Sequence, residues 1–280
     1  MDVSGKTIVI TGASRGIGCE ISRKLARNGA NLIGVARSAE RLAQWADEMK
    51  AFGGNVDAIA FDLAQTEKLP HLKTEIQRCA RRFGDNQIDI LINNAGIEIY
   101  SAFADYELED IERVIQINLT SVMSLTRTLL PLLSSQGHIV NMASLAAKKA
   151  HPFDSVYAAS KAGLLMWNHS LRQELSGKGL GVSAICPGYV RDTGMLADTG
   201  VSAPLLAGRS HSNTVANAVL SAIRHRRSEV IVNQDPITEA VTRGLLAIEQ
   251  IFPWMNDVSN RWLGITKLNQ SRANQNRIKA

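Results

Sequence analysis

The amino-acid sequence predicts an α/β fold: a doubly wound domain with a seven-stranded parallel sheet flanked by helices. Three observations carry the prediction. Short apolar runs alternate with amphipathic helical patterns along most of the chain. The runs are almost continuously apolar, as strands covered on both faces must be. Finally, 280 residues, 45% hydrophobic and 20% charged, suffice for one large core. No low-complexity linker and no repeat of 20–50 residues divides them.

The elements follow in order. TIVITG (7–12) reads as a short buried strand, and a glycine-rich turn leads from it into a helix over 16–28. NLIGVAR (31–37), NVDAIAFDL (55–63) and IDILINNAG (88–96) are the next three strands. Helices are expected between and after them over 39–52, 66–82 and 107–134. GHIVNMAS (137–144), GVSAICPG (181–188) and EVIVN (229–233) complete the sheet, separated by helices over 155–176 and 213–226. Between Gly188 and Asn213 the pattern is irregular, with Gly194, Gly200, Gly208 and Pro204. That segment leaves the carboxyl end of a strand, where such sheets bind ligands, and reads as a lid or substrate loop.

Beyond residue 233 the alternation stops. ITEAVTRGLLAIEQIF (237–252) places Ile237, Val241, Leu245, Ile248 and Phe252 on one helical stripe, and Pro253 ends it. The chain thus divides into a sheet domain (1–233), an amphipathic helical extension (234–268) and a basic tail (269–280) expected to be disordered. Three roles are open for the extension. It packs on its own domain or across a homodimer, it closes over a greasy substrate, or it touches an anionic membrane surface through Trp254, Trp262 and its basic residues.

Composition excludes several classes. Cys19, Cys79 and Cys186 are scattered without CxxC spacing, which argues against a disulfide framework and fits a reducing, cytoplasmic setting. The start MDVSGKTIVITG lacks the features of a signal peptide, and no run of about 18 apolar residues exists to span a membrane. The formal charge of +5 is matched by the tail alone, whose Arg261, Lys267, Arg272, Arg277 and Lys279 face no acid after Val258. The rest is balanced, so nucleic-acid binding is not indicated. The six histidines are not clustered at metal-ligand spacing, and no metal is expected.

TGASRGIG (11–18) opens the first helix. Gly12, Gly16 and Gly18 clear space where a phosphate approaches the free N–H groups and positive dipole end of a helix. Ser14, Arg15 and Ile17 lie in the same turn. This is the dinucleotide-binding turn of a Rossmann fold. The second strand ends Ala36-Arg37-Ser38, without the carboxylate that would hold a ribose 2′-hydroxyl. Arg37 and Arg15 suit a 2′-phosphate instead, which favours NADP(H) over NAD(H), unless both are merely solvated surface arginines.

SVYAASKAGLL (155–165) carries Tyr157 and Lys161 four residues apart, on one helix face. A free phenol titrates near 10 and is a poor catalyst at neutral pH. A neighbouring ammonium is expected to lower that value and let Tyr157 exchange a proton with a carbonyl or alcohol. Around this pair lie Asp62, NNAG (93–96), Asn118, Ser144 and PGYVRDT (187–193), in that order. Over residues 3–233 the chain resembles the classical short-chain dehydrogenase/reductase (SDR) family. The resemblance implies a catalytic set of Asn118, Ser144, Tyr157 and Lys161. It implies that Ser144 orients the substrate carbonyl, that Lys161 also holds the nicotinamide ribose, and that Asn118 joins a water-mediated proton relay. It places Asp62 and Leu63 at the adenine, Asn94, Ala95 and Gly96 beside the adenine ribose, and Pro187, Gly188, Val190 and Thr193 around the nicotinamide.

The implied reaction is hydride transfer between a nicotinamide and a carbonyl or secondary alcohol, run as reduction if the cofactor is NADPH. The expected substrate pocket is Leu145, Ala146, His151, Phe153, Tyr189, Met195 and Leu196, largely apolar and with no evident arginine clamp. It suits a hydrophobic small-molecule carbonyl: a ketoacyl, steroid-like or xenobiotic ketone. The rival reading is a non-catalytic NADP(H) sensor or assembly module on the same fold. The resemblance also implies a homodimer or homotetramer.

Overall fold

The computed structural model describes residues 1–84, 86–194 and 209–279. In chain order it contains β1 (Thr7–Thr11), α1 (Gly16–Arg27), β2 (Asn31–Ala36), α2 (Ala39–Lys50), β3 (Val56–Ala60), α3 (Leu69–Arg82) and β4 (Ile88–Asn93). Then follow α4 (Leu108–Ile115), α5 (Ser121–Leu129), β5 (Leu133–Met142), α6 (Ser155–Leu175) and β6 (Gly181–Pro187). A two-residue ladder of β7 (Tyr189–Val190) and β8 (Arg209–Ser210) precedes α7 (Ser212–His225) and β9 (Glu229–Val232). Three helices close the chain: α8 (Pro236–Ile251), α9 (Trp254–Trp262) and α10 (Ile265–Lys279).

Seven strands form one parallel sheet in the order β3-β2-β1-β4-β5-β6-β9. The order reverses between β1 and β4, the crevice where doubly wound sheets bind ligands. Alternation of side chains divides β1 between two cores. Ile8 and Ile10 pack with Leu25, Trp45, Val219 and Ile223 on one face; Val9 joins Leu72, Leu91, Leu125 and Leu171 on the other. Gly34 is required for the first: a Cβ there would lie 2.4 Å from the Trp45 ring. Nε2 of buried His138 on β5 is hydrogen-bonded to the Ser183 hydroxyl at 2.8 Å, and burial lowers the pKa of this histidine to about 4.

The structure departs from expectation in three places. The single helix expected over 107–134 is broken by a π turn at Gln116–Thr120 and ends near Leu129, where Pro131 enters a short 3₁₀ turn. β5 begins at Leu133, earlier than expected, because its exposed Ser135 and Gln136 hide the apolar pattern. The residues from 269, expected to be disordered, continue α10, and Asn269 and Arg272 on it are buried. Asn269 donates to the Pro152 carbonyl at 3.0 Å, and Asn260 of α9 to that of Ala150 at 2.9 Å. Side-chain bonds to a loop far back in the chain seat this segment together with buried Ile265 and Leu268.

Asp235 caps α8 by accepting from the backbone of Ile237 and Thr238. Its predicted stripe does not pack inward: Ile237, Val241, Ile248 and Phe252 are exposed. Leu246 is buried instead. Among the described residues, no helix is long and apolar enough to cross a membrane.

Candidate active site

The glycine turn is built for close approach. Gly12 and Gly16 hold φ of +65° and +60°, which glycine alone adopts readily. A Cβ on Gly18 would lie 2.1 Å from the Gly12 carbonyl oxygen. The turn is tied to the end of β4. The Thr11 hydroxyl accepts from the backbone N–H of Asn94 and of Ala95, both at 3.0 Å, and the Asn94 amide donates back to the Thr11 carbonyl at 3.0 Å. Asn93 donates to Asn141 and Thr126, bracing the sheet below.

A cavity of about 800 Å³ opens along this carboxyl edge. Gly12, Ser14, Arg15, Gly16, Ile17 and Gly18 line it together with Arg37, Asp62 and Leu63. So do Asn94, Ala95, Gly96, Pro187, Gly188, Val190 and Thr193. Ser144, Tyr157 and Lys161 line the same space, as do Leu145, Ala146, His151 and Tyr189. Phe153, expected in the substrate pocket, does not line the cavity. It sits in a left-handed turn at φ 62°, and its carbonyl accepts from Ser101 at 3.0 Å. Met195 and Leu196 lie outside the described residues.

Asn118 lies in the π turn and is fully buried behind the cavity. It accepts from the Ile97 N–H at 2.9 Å, donates to the Ile97 carbonyl at 2.8 Å and to the Ser160 hydroxyl at 3.1 Å. Ser160 in turn donates to the Tyr157 carbonyl at 2.7 Å. The extra residue of the π turn thus anchors both the segment after NNAG and the first turns of α6. Ser144 is held at the start of a 3₁₀ turn, its hydroxyl accepting from Ala146 at 3.1 Å, and it is hydrogen-bonded to Tyr157.

Burial governs the proton affinities. Lys161 is 4% exposed and donates to the Met142 carbonyl at 2.8 Å; burial lowers its pKa to about 8. Its Nζ lies 5.7 Å from the centre of the Tyr157 ring. The phenol was expected to fall below its ordinary value under that ammonium. It rises well above it, driven first by burial and then by Glu98 and Asp154, with only the Ser144 hydrogen bond opposing. Tyr157 therefore keeps its proton at neutral pH.

Several residues at the site escaped the sequence reading. Glu98 and Asp154 lie close to each other, and burial pushes both carboxyls up. Glu98 stands two residues past NNAG, a position that offered a signal. Burial takes His151 down to about 3, leaving it neutral. Arg41, one helical turn from Arg37, also lines the cavity. The remaining wall comes from the extension: Thr242, Leu245, Leu246 and Glu249 of α8, Leu263, and Ile265 and Arg272 of α10. Half-buried Lys149, whose pKa is lowered by burial, pairs with Glu249 at 3.8 Å. The extension is a wall of the site.

The family description "short chain dehydrogenase" matches residues 6–202. The ketoacyl reductase HetN of Nostoc sp. is 50% identical over 279 residues, covering 99% of this chain and 95% of that protein. An actinorhodin polyketide ketoreductase variant, solved with NADPH, superposes with a TM-score of 0.74 at 27% identity, over 83% of this chain and 97% of that one. A short-chain dehydrogenase/reductase from Burkholderia phymatum, solved with NAD, gives 0.77 at 25% identity, over 90% and 96%. Turn, cavity and relatives agree: the chain belongs to the short-chain dehydrogenase/reductase family of oxidoreductases.

Proposed function

We propose that this protein is an NADP(H)-dependent ketoreductase that reduces a hydrophobic ketone or ketoacyl substrate, with Tyr157 as general acid. One observation carries the reading: a single cavity is lined both by Arg37 and Arg41 and by Ser144, Tyr157 and Lys161. The residues fit a dinucleotide. A Cβ on Gly18 would meet the Gly12 carbonyl oxygen at 2.1 Å, so only glycine lets the turn close this tightly at the start of α1, where a phosphate would meet free backbone N–H groups. Gly12–Gly18 and the start of α1 would hold the pyrophosphate, and Arg37, Arg41 and Arg15 a 2′-phosphate. Where β2 gives way to α2, the lining residues Val35, Ala36, Arg37, Ser38 and Arg41 include no acid to hold a 2′-hydroxyl.

When bound, the reduced nicotinamide supplies the hydride. The chain supplies the rest. The Ser144 hydroxyl, fixed by the Ala146 N–H and reaching Tyr157, orients the substrate oxygen. Tyr157, kept protonated by burial and by Glu98 and Asp154, donates the proton that this oxygen needs as negative charge develops on it. Lys161, held by Met142, places a positive charge near the resulting phenolate. A phenol so reluctant to ionise suits reduction better than alcohol oxidation. The name of the Nostoc relative supports a ketoacyl substrate.

Fluorescence titration with NADPH and NADH, on wild type and Arg37→Ala, tests the cofactor. Tight NADPH binding that Arg37→Ala weakens by about tenfold or more supports the reading. Equal or better NADH binding overturns the preference. Binding of neither returns the chain to the non-catalytic reading.

A further inference from the structure

Arg272 comes from the stretch with the least sequence signal, yet it is 1% exposed and lines the cavity. Its guanidinium lies over the Tyr100 ring at 4.7 Å and the Tyr189 ring at 5.3 Å. Nη1 donates to the Tyr100 hydroxyl, which donates to Glu98 at 2.9 Å. Two aromatic faces and one hydrogen bond thus hold the group in place. α10 is itself pinned through Asn269 to the loop that carries His151.

Nε and Nη2 of Arg272 are buried and have no acceptor in the protein. Orphaned donors on a buried cation are costly, and most buried polar groups find partners. These two atoms form one edge of the guanidinium, the edge that meets the lone pairs of a planar acyl oxygen. The surrounding wall, with Leu145, Ala146, Leu246, Leu263 and Ile265, offers them nothing. Charge does not forbid a partner of either kind. Lys149, Lys161 and Arg272 stand against Glu249, Glu98 and Asp154, and burial pushes the last two carboxyls up, so the pocket has no excess negative charge to repel a carboxylate.

We propose that Arg272 is a substrate-recognition residue: it binds the acyl oxygen of a substrate that carries a second carbonyl-type group besides the ketone to be reduced. The substrate class is then an oxoacyl thioester or an oxo acid rather than a simple ketone. This deepens the ketoreductase reading and rests on it. The apolar wall accommodates the carbon chain, and Arg272 sets which end of the substrate faces Tyr157.

The test uses full-length wild type, Arg272→Met and Arg272→Lys, with NADPH and three probes. These are acetoacetyl-N-acetylcysteamine, acetoacetate, and 2-heptanone, which lacks the acyl oxygen. The expected result is a loss of about 30-fold or more in kcat/KM for one or both acyl probes in Arg272→Met. Arg272→Lys, which keeps the charge but not the fork, is intermediate, and 2-heptanone changes less than threefold. The acyl probe that carries the loss identifies thioester or carboxylate. Equal losses on all three probes, or none, overturn the proposal. NADPH titration shows that each variant folds and binds. If wild type reduces none of the probes, the ketoreductase reading fails, and thermal shift by the same probes decides Arg272. Stabilisation of wild type that Arg272→Met abolishes retains its acyl-binding role; no difference removes it.

Discussion

Reductase activity is expected to fall as pH rises through about 8, and Lys161 sets the break. Its ammonium is buried at 4% exposure, with the Met142 carbonyl as its hydrogen-bond acceptor at 2.8 Å. Its pKa is about 8 against an ordinary 10.5. One unit above that value, about one lysine in eleven keeps its charge, so kcat/KM should drop roughly tenfold between pH 7 and 9. Tyr157, pushed the other way, adds no break below 10. The same shift has a stability consequence. Between pH 8 and 10.5 the unfolded chain binds a proton that the folded chain does not, so folding is favoured as pH rises through that window. Below it the charged lysine costs about 3 kcal/mol, of which the bond to Met142 returns about 1. Lys161→Met should therefore be inactive yet about 2 kcal/mol more stable at pH 7, an advantage that shrinks toward pH 10. Lys161→Arg should move the activity break beyond pH 10. The assays are kcat/KM profiles from pH 6 to 10 and urea midpoints of wild type and Lys161→Met at pH 7 and 10. A wild-type profile flat through 9.5, or a stability difference independent of pH, would refute the reasoning.

Three further outcomes are expected. Tyr157→Phe removes only the proton donor, so turnover should fall by about 10³-fold while NADPH affinity stays within twofold; residual activity above a few per cent argues for another acid. Gly18→Ala puts a methyl 2.1 Å from the Gly12 carbonyl oxygen, a backbone atom that cannot swing away. The turn must open, and NADPH affinity measured by fluorescence should drop at least about tenfold, whereas unchanged affinity would mean the turn does not cradle phosphate. His138, buried with a pKa of about 4, stays neutral in the folded chain while the unfolded chain takes up a proton below about 6.5. Its share of stability is complete above that pH and is lost toward 4. Wild type should therefore lose about 3 kcal/mol more than His138→Gln between pH 7 and 4 in urea titrations, and parallel losses would exclude His138.

The sheet was legible because its strands are buried on both faces: β1 and β4 are buried throughout, with apolar centres, and their ends fall within a few residues of expectation. The start of β5 was not, because Ser135 and Gln136 on its first half face solvent. The π turn was not, because one extra residue in a helix leaves the apolar periodicity of 107–134 almost unchanged. The extension was legible as helix, and closing over a substrate was one of the three roles open for it, but the side chains that form the wall were not legible. Most of its apolar stripe is exposed, while Leu246, Ile265 and Leu268 are buried together with Asn260, Asn269 and Arg272, polar residue types that pattern reading assigns to solvent.

The catalytic pair shows where the boundary runs. Four-residue spacing on a helix places Tyr157 and Lys161 on one face, and that much follows from sequence. Their proton affinities do not, because they are set by groups from other elements. Glu98 arrives on the loop after β4, and Asp154 stands just before α6. Local chemistry argued for a phenol made acidic by its ammonium. Packing removes water from both groups at once and adds carboxyls beside the phenol, so the lysine loses affinity for its proton while the tyrosine holds its own more tightly. The two shifts act together in reduction. The phenol stays protonated until an alkoxide, far more basic than either group, develops within reach, and only then does the transfer become favourable.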